Sequence, residues 1–133
     1  MSLVRVVSTL PPELDRLITD TIGALLVVHR ELGPGMGEGV YADATILELA
    51  QRRIPFETEK PMPVRYKGTL LCYQRVDLLV DGRLVVELKS VERIHPVHVA
   101  QVVSYLRLAG VRAGLLVNFN VPLLKQGIKR VVV

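Results

Sequence analysis

VDLLVDGRLVVELKS, residues 76 to 90, decides how the rest of the chain is read. Two apolar runs flank Asp81-Gly82, a pair suited to a tight turn, so the stretch reads as a β-hairpin. Three charged residues interrupt it: Asp77, Glu87 and Lys89. Charged side chains are seldom buried unless paired or functional, which sets a solvated hairpin face against a built site.

Side chains alternate between the two faces of a strand. Leu84, Val86 and Leu88 share one face, and Arg83, Val85, Glu87 and Lys89 share the other. In the preceding strand Val76, Leu78 and Val80 oppose Arg75, Asp77 and Leu79. The turn sets how these faces combine. A two-residue Asp81-Gly82 loop pairs Val80 with Arg83 and sends Asp77 and Glu87 to opposite sides. A three-residue loop, Val80-Asp81-Gly82, pairs Leu79 with Arg83, aligns the apolar sets and makes Asp77 and Glu87 diagonal neighbours on one face. Burial favours the second, so an odd-length turn or a compensating bulge is expected.

Two carboxylates that close repel each other unless a cation joins them. Oxygen-only ligands suit Mg²⁺, which commonly takes one or two carboxylates and completes its shell with water and phosphate oxygens. A lysine two residues after the glutamate would orient or deprotonate an attacking water, or neutralise charge developing on phosphorus. Taken alone, Glu-Leu-Lys on an exposed strand remains the alternative.

Outward from the hairpin, the pattern predicts two helices before it. Thr9, Pro11 and Pro12 announce the first, with Glu13 and Asp15 in its opening turn and Leu14, Leu17, Ile18, Ile22, Leu25, His29 and Leu32 as one stripe. The Gly-Pro-Gly at 33–35 ends it. A second helix is predicted from Glu38 to Arg53, with Val40, Ala44, Leu47 and Ala50 inward. FETEK and MPVRY then form a proline-interrupted edge stretch, Lys67-Gly68 a turn, and strands follow over Thr69–Val80 and Arg83–Lys89. A third helix covers Val97–Ala109 and stops at Gly110. AGLLVNF reads as a strand buried on both faces, and GIKRVVV as a candidate last strand. The order ααβββαβ, with a final β, predicts one α/β domain over residues 1–133, a mixed sheet with helices on both sides.

Composition agrees and excludes much. The chain has 133 residues, 50% hydrophobic and 23% charged, a globular balance. Net charge is +4, and the pI near 9.5 is compatible with a polyanionic partner. Cys72 is the sole cysteine, which excludes an intramolecular disulfide and a Cys-based zinc cluster; within a strand it reads as a small buried hydrophobe. MSLVRVVSTLPPELD lacks the apolar core of a signal peptide, and IGALLVV is too short to span a bilayer, so a cytoplasmic protein with no membrane role is expected. Three scattered histidines argue against zinc. His29, on an apolar stripe, reads as structural.

GMGEGVY, residues 35 to 41, matches the Gly-x-x-Glu-x-x-Tyr signature, and VHRELGPG before it and ELKSVERIHPVHVAQVVSYLRLAG after it extend the likeness. The chain thus resembles the GxxExxY proteins, a branch of the PD-(D/E)XK nuclease-like superfamily, over roughly residues 14–133. The resemblance implies a restriction-endonuclease-like three-layer α/β/α sandwich with a central mixed β-sheet. It implies that Asp77 and Glu87 bind metal with the Leu88 carbonyl, that Lys89 is the catalytic lysine, and that Glu38 helps hold metal. Gln101 and Tyr105 match a Gln-x-x-x-Tyr motif that lies beside the metal site in related nucleases. No proline precedes Asp77, and Gly37 and Gly39 weaken the helix start that carries Glu38.

The expected function is hydrolysis of DNA or RNA phosphodiesters with Mg²⁺, for which Mn²⁺ can substitute. Arg75, Arg93, His98 and Arg107 are the candidates for nucleic-acid contact, with Tyr41, Tyr73 and Tyr105 for stacking. Arg52, Arg53, Lys125, Lys129 and Arg130 read as solvated surface. The alternative is a non-catalytic nucleic-acid- or partner-binding module that keeps the nuclease fold. DNA is expected before RNA, and a homodimer is left open.

Overall fold

The computed structural model describes residues 8–133, so the first half of the opening segment read against a signal peptide lies outside the described residues. Helix α1 spans Pro12–Leu32. Pro12 opens it where a backbone N–H has no intrahelical partner, and Glu13 and Asp15 face its positive end. The cap position is Pro11 rather than Thr9, and Gly33, at φ 69°, stops the helix. Leu14, Ile18, Leu25 and His29 are buried, with Leu17, Ile22 and Leu32 at the margin of the stripe.

Helix α2, Glu38–Gln51, buries a different face from the one its sequence suggests. Tyr41, Thr45 and Leu49 point inward, while Val40 and Leu47 are 46% and 61% exposed. The Tyr41 ring decides this phase. It stacks on Phe119 with centroids 4.3 Å apart and planes 5° from parallel.

Strands β1 (Phe56–Tyr66) and β2 (Thr69–Val80) form a long hairpin through Lys67-Gly68, both at positive φ (50° and 80°). Strand β3 is Leu84–Lys89, helix α3 Pro96–Ala109, strand β4 Ala113–Asn118 and strand β5 Ile128–Val132. The sheet order is β1-β2-β3-β4-β5, antiparallel except for the β3–β4 pair that α3 connects. All six residues of β4 are buried, as expected of its continuous apolar run.

Helices α1 and α2 pack on one face of the sheet against Leu78, Val80, Leu84, Val86 and Leu88. Helix α3 covers the other, against Met62, Val76, Leu79, Val85 and Leu116. This is a three-layer α/β/α sandwich with a mixed central sheet.

The β2–β3 turn is odd in length but displaced by one residue from expectation. Val80 pairs with Leu84 and Leu79 with Val85, leaving Asp81, Gly82 and Arg83 as the loop. Asp81 (φ 50°) and Gly82 (φ 65°) are left-handed, and the Arg83 N–H donates to Val80 O at 3.0 Å. That register sets Asp77 opposite Glu87 rather than diagonal to it.

Alternation in β2 also breaks at Asp77. Val76 faces α3 whereas Leu78 and Val80 face α1 and α2, so the three do not form one set. Across the β1 ladder, the rung between Thr58–Leu78 and Lys60–Val76 is missing; there Glu59 adopts φ 50° opposite Asp77. Cys72, expected to be buried, is exposed because β2 pairs only with β1 at that point.

Gly114 lets α3 sit close on β4: an added Cβ would lie 2.9 Å from Val102 Cγ1, 3.0 Å from Leu106 Cδ2 and 3.2 Å from Val85 O. Gly114→Ala is expected to destabilise the fold by about 1–3 kcal/mol through overpacking. Urea denaturation checks it, and an unchanged midpoint would mean that α3 yields without cost.

Candidate functional site

Strands β2 and β3 part after the Leu78–Val86 pair. From there β2 continues with β1, and β3 continues with β4 through Lys89–Asn118. At the fork, side chains replace the backbone ladder. The Asp77 N–H donates to Glu87 Oε1 at 2.8 Å, and the Leu88 N–H donates to Asp77 Oδ2 at 2.8 Å. Each carboxylate thus binds the strand opposite its own. In an extended chain a residue's N–H and C=O point to the same edge, so the Leu88 carbonyl is also directed into the fork.

Glu87 is 5% exposed and Asp77 is half-buried. Burial, and next the charge of Asp77, push the Glu87 carboxyl up to about 8, against the opposing pull of the Asp77 N–H and of Lys89. The two carboxyls are close enough that they titrate as one pair.

Other expected residues converge on this pair. Glu38, exposed at the first turn of α2, is raised by burial and by Asp77, and lowered by Lys89. The Tyr105 hydroxyl is raised by burial and by the charges of Glu87 and Asp77. His98 is held below the ordinary imidazole value by desolvation first, then by Lys89 and His95. The structure therefore gathers Asp77, Glu87, Lys89, Glu38 and Tyr105 from four elements, with His98 beside Lys89.

Gln101 and Tyr105 line a groove of about 460 Å³ between α3 and the β1–β2 hairpin, with Val64, Gln74, Ser104 and Arg107. Tyr105 itself is almost wholly buried, which leaves little ring for stacking. Arg75 is exposed and donates to the Glu59 carbonyl at 3.4 Å. Arg93 is not brought to this groove; it lines another with Asn118, Gly127 and Lys129. His98 uses Nδ1 to accept the His95 N–H at 3.0 Å, which caps the start of α3. His29 is structural, its Nε2 lying 3.1 Å from Phe119 O and 2.8 Å from Val121 O.

Tyr41 does not offer a face for stacking on nucleic acid. Its ring is fully buried, its hydroxyl donates to Gly33 O, and it accepts the Met36 N–H at 3.1 Å. Ser90, next to Lys89, donates to Met36 O at 2.6 Å. The loop that leads into Glu38 is thereby tied to the end of β3. Asn118 does the same for the segment beyond: its Oδ1 accepts the Val91 N–H at 3.1 Å and its Nδ2 donates to Val91 O at 2.9 Å. Sequence reasoning missed these supports. The only local signal was a polar residue, Asn118, inside an otherwise apolar run.

The family model of the PD-(D/E)XK nuclease superfamily matches residues 15–131. The chain belongs to the PD-(D/E)XK nuclease superfamily. Nucleases of this superfamily act on nucleic acid and generally use divalent metals. No curated protein and no solved structure matches the chain. Among the described residues no helix is long and apolar enough to cross a membrane, and no group of three His, Cys, Asp or Glu side chains is placed to hold a metal ion.

Two outcomes are expected. Unfolded, Glu87 releases its proton near 4.5; folded, near 8. Between these values the folded chain holds a proton that the unfolded chain lacks. In a chelator, stability therefore falls as pH rises through that window, by at most about 1.4 kcal/mol per pH unit. Glu87→Gln keeps an acceptor for the Asp77 N–H and should flatten the slope; identical pH–denaturation curves for the two proteins would remove the buried pair as its source. Separately, Tyr41→Phe keeps the stack on Phe119 and loses both hydrogen bonds, at an expected cost of about 1–3 kcal/mol in urea denaturation.

Proposed function

We propose that the chain is a metal-dependent nuclease that hydrolyses DNA or RNA phosphodiester bonds at the fork between β2 and β3. One observation carries this reading: Asp77 and Glu87 face each other where the ladder opens, each held by one oxygen to the opposite backbone. Such a pair favours a cation: burial and then the charge of Asp77 raise the Glu87 carboxyl, and positive charge between the two would offset both. Its donors are all oxygen, which suits Mg²⁺ or Mn²⁺. Asp77, Glu87 and the Leu88 carbonyl would hold the ion, with Glu38 beside them, and the ion would supply Lewis-acid charge to the scissile phosphate.

Lys89 stands next to this pair, its charge felt by Glu87, Glu38 and His98. Its Nζ takes the proton of the attacking water or, kept charged, neutralises the oxygens of the reacting phosphate. Gln101, with the neutral Tyr105 hydroxyl, borders the path of the strand, and Arg107 offers its charge to a phosphate in the same groove. The Gly35–Tyr41 signature supports placing the chain in the GxxExxY branch.

A second reading, binding to nucleic acid without cleavage, has its own support. Each carboxylate already spends one oxygen on a backbone N–H, and among the described residues no third side-chain ligand completes the set. Cleavage of labelled DNA and RNA with Mg²⁺ or Mn²⁺ separates the two. Asp77→Asn and Lys89→Ala should each lower the rate about 100-fold or more while leaving the fold intact. Equal activity in all three proteins sinks the nuclease reading; salt-sensitive binding with no cleavage selects the second.

A further inference from the structure

Beyond the rung Lys60–Val76 the β1–β2 hairpin runs on as a two-stranded ribbon, to the rung Tyr66–Thr69. Strand β3 pairs with β2 only at Leu78, Leu79 and Val80, so no third strand supports this part, and Met62, against α3, is its one buried side chain. At a rise of about 3.4 Å per residue the ribbon reaches roughly 20 Å. Two-stranded ribbons are marginal on their own in water. This one nevertheless shows large apolar side chains to solvent: Tyr66 at 62%, Leu71 at 61% and Tyr73 at 57% exposure. A patch of that kind marks an interaction surface.

The charge on the ribbon tells what covers it. From Lys60 to Val76 there is no Asp or Glu, while Arg65, Lys67 and Arg75 are all exposed. Lys67 Nζ lies 5.5 Å from the centre of the Tyr66 ring, so cation and aromatic sit together at the tip. A symmetric contact with a second copy would set these cations against their own counterparts with no acid to neutralise them. A polyanion meets no such penalty. The ribbon is also continuous with the fork: Arg75 is two residues before Asp77 on the same strand.

We propose that this ribbon is a DNA-binding arm that grips duplex DNA beside the fork. A two-stranded β-ribbon fits the major groove of B-form DNA, about 12 Å wide, with its cations on the flanking phosphates. The major groove of A-form RNA is too deep and narrow to admit it. The arm thus selects double-stranded DNA as substrate. Its placement beside a site of cleavage rests on the nuclease reading; its binding to DNA does not.

The test is the affinity of the whole chain for a short mixed-sequence DNA duplex, and for the RNA duplex of the same sequence, measured in a chelator across a salt series. The variant is Arg65→Ala with Lys67→Ala, two exposed tip residues outside the core. Loss of two phosphate contacts should weaken DNA binding about ten-fold or more and make the log–log salt slope shallower by roughly 1.8. A merely structural role would not move that slope. The RNA duplex should bind more weakly and respond less.

Unchanged DNA affinity and slope would overturn the arm, as would an equal response by the RNA duplex. So would a concentration-dependent dimer, seen by sedimentation, that Leu71→Glu dissociates while DNA binding stays as it was. If the wild-type chain cleaves but the tip variant binds normally, the arm fails and the nuclease reading stands. Arm-dependent binding without cleavage in Mg²⁺ or Mn²⁺ supports the arm and removes the nuclease reading.

Discussion

The reciprocal grip of Asp77 and Glu87 on each other's strands is the constraint around which the molecule is arranged. A sheet that opens between two strands leaves N–H and C=O groups without partners, and buried groups of that kind are costly. Here the carboxylates fill the gap. Asp77 takes the Leu88 N–H, Glu87 takes the Asp77 N–H, and β2 is free to turn away with β1 while β3 stays with β4. The cost is two acids buried in one small space, and burial first, then the charge of Asp77, raises the Glu87 carboxyl. The same grip that lets the fork open makes it a place where positive charge is wanted.

Everything near the fork serves to hold its margins. Tyr41 anchors α2 through Phe119 and fastens the Gly33–Met36 loop, and Ser90 ties that loop to the end of β3. Glu38 thus follows Lys89 as a consequence of hydrogen bonds made by neither. On the opposite face Gly114 lets α3 approach β4, which brings Tyr105 over the carboxylate pair. Broken alternation at Asp77 and left-handed Glu59 fall on one rung, so the irregular backbone is concentrated where the charged side chain must leave the sheet's regular pattern.

Much of this was legible from the chain, at the level of parity more than of register. Alternation in residues 84–89 and the need to bury apolar sets together were enough to demand an odd-length turn. They did not choose between Val80 and Arg83 as the third loop residue, because Asp81 tolerates the left-handed conformation that moves the loop by one. The phase of α2 was not legible: Val40, Ala44 and Leu47 form as good an apolar stripe as Tyr41, Thr45 and Leu49. The choice falls to Phe119, far along the chain, and to a hydroxyl bond no local pattern announces. Cys72 fails for a similar reason: its strand was read correctly, but its burial depended on where β3 stops. Lys89 was legible from parity, two residues after Glu87 on the same face, but Glu38, Gln101 and Tyr105 were found through the likeness to known nucleases, since helix spacing alone gives no reason for Glu38 to meet a distant hairpin.

The fork also explains why two carboxylates suffice to define a direction. A free carboxylate rotates, and a pair on flexible side chains presents four oxygens with no common orientation. Asp77 and Glu87 each have one oxygen fixed by a backbone N–H at 2.8 Å, so the orientation of the other is set by the strand and not by the side chain's own torsions. The free oxygens, Oδ1 of Asp77 and Oε2 of Glu87, are positioned before any ligand arrives. Entropy that a flexible pair would lose on binding a cation has already been lost in folding. That is why the charge repulsion is tolerated: the interaction that stabilises the opened sheet is also the one that fixes how the two acids are oriented.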